Sequence, residues 1–170
     1  MIIITISPNL IIMKTRVILG IDPGIADTGY GIIEVTGNHV SLLTYGSIKT
    51  DSSLALPERL VCLNHDLDKL IKDYKPDLAA IEELFFNKNV RTALMVGQAR
   101  GVALLALSNN QVPIFNFTPS QVKQAVCAYG QAPKSQIQKM VKMILGLDVI
   151  PKPDDAADAL AIALCAINCR

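Results

Sequence analysis

The sequence predicts an α/β fold, with a five-stranded mixed sheet flanked by helices on both faces, and three observations predict it. β-branched runs and helical periodicities alternate in the order strand, strand, strand, helix, strand, helix, strand, helices. Hydrophobic residues make up 51% of the chain and mean hydropathy is +0.36, as suits a sheet covered on both sides. The 170 residues contain no internal repeat, low-complexity tract or interdomain linker, so they suffice for one core.

Each element has its own signal. "RVILGID" (16–22) is a β-branched run that ends in turn chemistry, and "TGYGIIEV" (28–35) and "HVSLLTYGSI" (39–48) read as two further strands joined through Gly37-Asn38. In "LPERLVCLNHDLDKLIKDY" (56–74), Leu60, Leu63, Leu67, Leu70 and Ile71 recur at helical spacing behind Pro57 in the first turn. Pro76-Asp77 ends that helix, and "LAAIE" (78–82) is a fourth strand terminating in Glu82-Glu83. The helix through 90–110 is so rich in small and apolar residues that most of its circumference is expected to be covered. "VPIFNF" (112–117) is the fifth strand, Thr118-Pro119-Ser120 caps a short helix, Pro133 opens another, and a last apolar helix starts among prolines and acids at 151–155. An antiparallel meander followed by parallel strands reached through helical crossovers is a ribonuclease H-like arrangement.

The first 12 residues are apolar, but they lack a basic leading segment, contain Pro8 and fall short of the roughly 20 residues a membrane span needs. They are expected to be an extension, loosely attached or ahead of a true start at Met13, with residues 13–170 forming a single ribonuclease H-like domain. Cys62, Cys127, Cys165 and Cys169 form no C-x-x-C pair and read as free thiols in a reducing, cytoplasmic setting, which argues against structural zinc.

Charge is segregated. Between Phe86 and Leu147 there is no acid, while Lys88, Arg91, Arg100, Lys123, Lys134, Lys139 and Lys142 supply seven basic groups. Such a stretch on a chain of net charge +1 suggests a surface facing a polyanion, although solvated helix faces also produce basic runs.

Four carboxylates stand where apolar residues should be. Asp22 ends the first strand, Glu82 the fourth, and Asp155 and Asp158 lie three apart, hence on one face, near the start of the last helix. Neighbouring strand ends and a helix packed across the sheet would let them converge. Clustered carboxylates are the hard oxygen ligands that Mg²⁺ or Mn²⁺ take. Two ions about 4 Å apart would activate a water and stabilise the leaving oxygen of an in-line displacement at phosphorus, with Asp22 the bridging ligand.

Blander roles compete for each acid. Asp22 before Pro-Gly suits a turn, and Asp154 or Asp155 alone suits a helix cap. Asp158 is harder to explain this way, because it is the single charge inside the apolar run "AADALAIAL". Spacing does not choose between Glu82 and Glu83.

The stretches "GIDPGIADTGYGII", "AIEELFFNKN", "GQARGVAL", "VKQAV", "KSQIQKMV" and "DDAADALAIA", in this order over residues 17–166, resemble the RuvC family of Holliday-junction resolvases. The resemblance implies a homodimeric, Mg²⁺-dependent endonuclease with two ions per subunit, Mn²⁺ substituting. Its paired symmetric nicks in four-way junctions would leave 5′-phosphate and 3′-hydroxyl ends. It implies catalytic acids Asp22, Glu82, Asp155 and Asp158, with Glu83 and Asp154 as bystanders. It further implies Lys123 and Lys134 beside the scissile phosphate, Phe85 stacking on unpaired bases, and a RuvA–RuvB branch-migration partner. Lys88, Arg91 and Arg100 are further candidate DNA contacts, although Arg100 within "GQARG" has an equal structural reading and one of Phe85 and Phe86 is expected to plug the core. Lys139 and Lys142 fit a solvated face better than a DNA contact. A departure from the family is that the chain stops at Arg170, where a polar or basic tail would be expected.

Rival readings fare worse. A phosphotransferase of the sugar-kinase, actin and Hsp70 type needs a duplicated domain and a second phosphate loop. A silent junction binder has no use for four acids, and an RNA-directed nuclease lacks a residue assigned to a 2′-hydroxyl.

Overall fold

The computed structural model describes residues 14–83 and 90–169. Its elements are β1 (Thr15–Asp22), β2 (Asp27–Thr36), β3 (His39–Lys49), α1 (Leu56–Tyr74), β4 (Leu78–Glu82), α2 (Val90–Asn109), β5 (Ile114–Phe117), α3 (Pro119–Cys127), α4 (Lys134–Ile144) and α5 (Asp154–Cys165), followed by a 3₁₀ turn (Ala166–Asn168). The expected element order is the one observed. The last helix closes at Cys165, and its continuation is the 3₁₀ turn.

The sheet runs β3-β2-β1-β4-β5. β1, β2 and β3 are antiparallel neighbours, whereas β4 pairs parallel to both β1 and β5. β1 is thus central, and its C-terminal Asp22 lies opposite Gly29 of β2.

Alternation along β1 and β4 divides the core in two. Ile18, Leu78 and Ala80 face the layer of α3, α4 and α5, while Leu19, Ile21, Ala79 and Ile81 face α1 and α2. Asp22 and Glu82, two residues beyond Gly20 and Ala80 on their strands, fall on the α5 side.

α5 lies unusually close to the sheet. Its Ala156, Ala157, Ala159, Ala161 and Ala163 are buried, and opposite them the strands carry glycine. A Cβ on Gly20 would stand 2.1 Å from the Ala159 carbonyl oxygen, and one on Gly29 would stand 2.0 Å from that of Asp155. No side chain fits at either place. Small residues on both partners therefore set the depth at which the acidic end of α5 meets the end of β1.

α2 differs from expectation. Ala99, Ala103 and Leu107 are buried, but Leu94 and Leu105 are 60% and 55% exposed, and Gly101 between them faces open space. Among the described residues, only one face of this apolar helix is covered. All four cysteines are free thiols. Among the described residues no helix is long and apolar enough to cross a membrane. The proposed extension, residues 1–12, lies outside the described residues.

Candidate active site

Asp22 is delivered by the end of β1, Asp155 and Asp158 by the first turns of α5. One carboxylate oxygen from each lies within 4.8 Å of the others. Asp22, Glu82 and Asp158 also line one cleft of about 240 Å³, with Lys123 of α3 and Lys134 of α4 on its wall and Val122, Ile137, Ala161 and Ile162 as its apolar lining. Glu82 is not in the tight three-acid group. It shares the cleft from the β4 side, and Glu83 is exposed.

The electrostatics follow from this crowding. Burial, then the charges of Asp158, Glu82 and Asp155, push the Asp22 carboxyl up to about 7. Glu82 is raised by burial and by Asp158, with Lys123 pulling the other way. Three half-buried acids so close cannot all ionise cheaply without a compensating cation. Hard oxygen donors in this arrangement fit a divalent ion such as Mg²⁺ or Mn²⁺.

Lys134 is the cluster's direct cationic partner, its Nζ standing 2.7 Å from Asp158 Oδ2 and 3.9 Å from Asp154 Oδ2. The hydrogen bond to Asp158 raises the Lys134 ammonium above its usual range. Asp158 is therefore partnered and part-exposed at the cleft, not the fully buried lone charge its apolar sequence context suggests. Asp154 is not one of the three grouped acids, and its Oδ1 accepts from Lys152 Nζ at 2.9 Å. Pro133 precedes α4 and starts it at Lys134. Thr118 caps α3 reciprocally with Gln121, with Pro119 opening its first turn, and so fixes the helix that carries Lys123.

Arg100 is turned onto the protein. Its Nε donates to the Glu82 carbonyl at 3.1 Å and its Nη2 to Asn116 Oδ1 at 2.6 Å. These bonds tie α2 to the ends of β4 and β5 and leave it holding the Glu82 backbone. Phe85 and Lys88 lie outside the described residues, and so does the Arg91 side chain, although Arg91 belongs to the first turn of α2.

One acid escaped the sequence reading. Asp27 opens β2 at the far side of the turn that Asp22 begins, and after burial it is the largest influence raising the Asp155 carboxyl. Its Oδ1 is buried without a hydrogen-bond partner among the described residues, and Lys49 stands 4.0 Å from its Oδ2. The available signal was a second acid five residues after Asp22, across a Pro-Gly turn.

Comparison with known proteins is consistent across sequence and fold. Residues 18–166 match the family model described as crossover junction endodeoxyribonuclease RuvC. The chain is 59% identical over 149 residues to the crossover junction endodeoxyribonuclease RuvC of Alkaliphilus oremlandii, covering 88% of this chain and 91% of that protein. It is 58% identical over 149 residues to that of Desulforamulus reducens, covering 88% and 91%. Among solved structures it resembles Thermus thermophilus RuvC in complex with Holliday junction substrate, with TM-score 0.84 and 38% identity over 88% of this chain and 92% of that one. The chain belongs to the RuvC family of crossover junction endodeoxyribonucleases.

Proposed function

We propose that the chain makes paired symmetric nicks in four-way DNA junctions, with Asp22, Glu82, Asp155 and Asp158 holding two Mg²⁺ ions per subunit, Mn²⁺ substituting. Its family membership makes it a Holliday junction resolvase, an endonuclease of recombination and repair. The observation that carries the residue roles is the convergence of three carboxylate oxygens within 4.8 Å at a cleft with lysines on its wall.

When bound, such a pair of ions activates the attacking water and stabilises the leaving oxygen of an in-line displacement. Asp22, with acids on both sides of it, would be the central ligand of the set. Asp155 and Asp158 complete the set from α5 and Glu82 from β4. Lys134, already bonded to Asp158, orients that carboxylate and lends positive charge to the scissile phosphate. Lys123 does the same from α3, so that charge developing on phosphorus oxygens meets fixed cations. The products would be 5′-phosphate and 3′-hydroxyl ends. Phe85, Lys88 and Arg91, by resemblance, extend the DNA contact beyond the cleft.

A homodimer would set one cleft against each of two opposing strands. The uncovered stripe of Leu94, Gly101 and Leu105 on α2 supports a self-association surface. The RuvA–RuvB branch-migration complex is the proposed further partner, in the cytoplasm.

Strand-resolved cleavage of a mobile four-way junction beside a linear duplex of the same sequence tests the reading. Symmetric Mg²⁺-dependent nicks confined to the junction are expected, and equal cutting of the duplex, or none of either, overturns it. Lys123→Ala and Lys134→Ala are each expected to slow cleavage and to lower the slope of log affinity against log salt by about one unit. Unchanged rates and slopes would remove both lysines from the site.

A further inference from the structure

Arg59 occupies a core position on α1. It falls in the inward stripe with Leu63, Leu67 and Ile71, and it is only 9% exposed. Burying a guanidinium is costly unless its donors are used, and an apolar side chain would fill this stripe more cheaply. Among the described residues no salt bridge involves it.

Two of its donors go to the turn that follows Asp22 and to Thr50, which braces that turn. Arg59 Nε donates to Thr50 Oγ1 at 2.8 Å and Nη2 donates to the Ile25 carbonyl at 3.2 Å. The Thr50 hydroxyl donates to that same Ile25 carbonyl, and the Thr50 amide donates to the Ala26 carbonyl at 3.2 Å. From the other end the Thr28 hydroxyl donates to the Gly24 carbonyl at 2.5 Å. Thr28, Thr50 and Ile25 are all buried. The carbonyls of Gly24, Ile25 and Ala26 are thus each taken, by groups from β2, the end of β3 and α1.

The turn so held, residues 23–26, runs between two acids. Asp22 contributes an oxygen to the three-acid cluster, and Asp27 stands near Asp155. Its backbone is fixed from the sheet face opposite α5, the same face from which Arg100 holds the Glu82 carbonyl.

We propose that Arg59, acting through Thr50 and the Ile25 carbonyl, is a positioning residue that fixes the turn after Asp22 and thereby aims the Asp22 carboxylate at its metal partners on α5. The proposal rests on the metal-dependent reading of the cleft. Outer partners of metal-ligating carboxylates typically change metal affinity or activity by 10–100-fold when removed.

The test uses the full chain, stripped of metal and titrated with Mn²⁺, with free Mn²⁺ read by electron paramagnetic resonance. Single-turnover junction cleavage and junction affinity in chelator are measured beside it. Arg59→Met and Thr50→Val are expected to weaken Mn²⁺ binding about tenfold and to slow cleavage about tenfold, with junction affinity within twofold of the parent. Thr50→Ser, which keeps the hydroxyl, is expected to retain parental values. Should Arg59→Met not fold, the Thr50→Val and Thr50→Ser pair decides alone. Leu63→Ala, on the same stripe, loosens the core without removing any hydrogen bond of the turn and is expected to keep Mn²⁺ affinity. Folded variants with parental Mn²⁺ affinity and rate overturn the proposal, and so does an equal loss in Leu63→Ala, which would mean general softening. A parent chain that takes up no Mn²⁺ overturns the metal reading beneath it.

Discussion

Asp22→Asn is expected to abolish junction cleavage, by about 10³-fold or more, while the apo protein becomes more stable. The two effects share one cause. Asp22 is pushed up to about 7 by burial and by three neighbouring acids, so the folded chain holds that proton far more tightly than the unfolded chain, whose carboxyl titrates near 3.8. A group whose folded pKa is raised in this way favours the fold most below the unfolded value. That contribution is lost as pH rises from about 4 through 7, and above 7 the fold carries an ionised carboxylate in repulsive surroundings.

Asparagine has no such charge to place. With about 1.4 kcal/mol per pKa unit, halved because the cleft opens to water, the variant should gain about 2 kcal/mol at pH 8 in chelator. For a domain of this size that is roughly 4–8 °C in melting temperature. The gain should shrink towards zero at about pH 4. Mg²⁺ should then raise the melting temperature of the parent and leave the variant nearly unmoved. Junction binding should be kept or tightened, since a negative charge facing phosphates has been removed. Calorimetry in chelator and in Mg²⁺ across this pH range checks it. Identical melting temperatures at pH 8, or parental cleavage by Asp22→Asn, would show that Asp22 is neither strained nor needed.

The acids themselves were legible in the sequence because each interrupts an apolar pattern at an element end: Asp22 after Val17-Ile18-Leu19, Asp158 within alanines and leucines. Less legible was which side of each strand mattered. Alternation placed Glu82 with Leu78 and Ala80, but spacing could not tell that α5 covers this face, so the choice of Glu82 over Glu83 rested on the family resemblance. Tertiary pairing also hid partners. Asp158 looked like an unpaired buried charge because Lys134 lies 24 residues away on another helix, and Arg100 stayed open between a DNA contact and a structural role because its acceptors, the Glu82 carbonyl and Asn116, come from other strands. The outer face of α2 misled for a different reason. Apolar composition reports that a surface needs covering, not whether the same chain covers it. Gly20 and Gly29 sit in strands where propensity counts against glycine, and that local misfit marked the helix docking site.

Gly29→Ala carries that last point to its largest consequence. Gly29 is the register partner of Asp22, and its added Cβ would lie 2.0 Å from the Asp155 carbonyl oxygen and 2.4 Å from the Asp155 carbonyl carbon. Both are backbone atoms in the first turn of α5, so no rotamer relieves the clash. Either β2 bends away from β1 or the acidic end of α5 lifts, and a lift of about 1 Å, enough to restore ordinary contact, is comparable to misplacements that cost about 10²-fold in rate. Cleavage is expected to fall at least that far, and Mg²⁺ to lose most of its stabilising effect, although every carboxylate and lysine of the cleft is still present. Overpacking of this kind costs about 1–3 kcal/mol, so the assay is run well below a melting temperature measured in parallel. Gly20→Ala, whose Cβ would meet the Ala159 carbonyl oxygen at 2.1 Å and the Ala163 amide at 2.6 Å, presses on α5 from farther along the helix. It should lower stability more than it lowers the rate of the protein that remains folded, because the pressure falls a turn or more beyond Asp155. If Gly29→Ala cuts junctions at the parental rate with an unchanged response to Mg²⁺, then the depth of α5 on the sheet does not set the geometry of the acids, and their convergence must be maintained by the side chains alone.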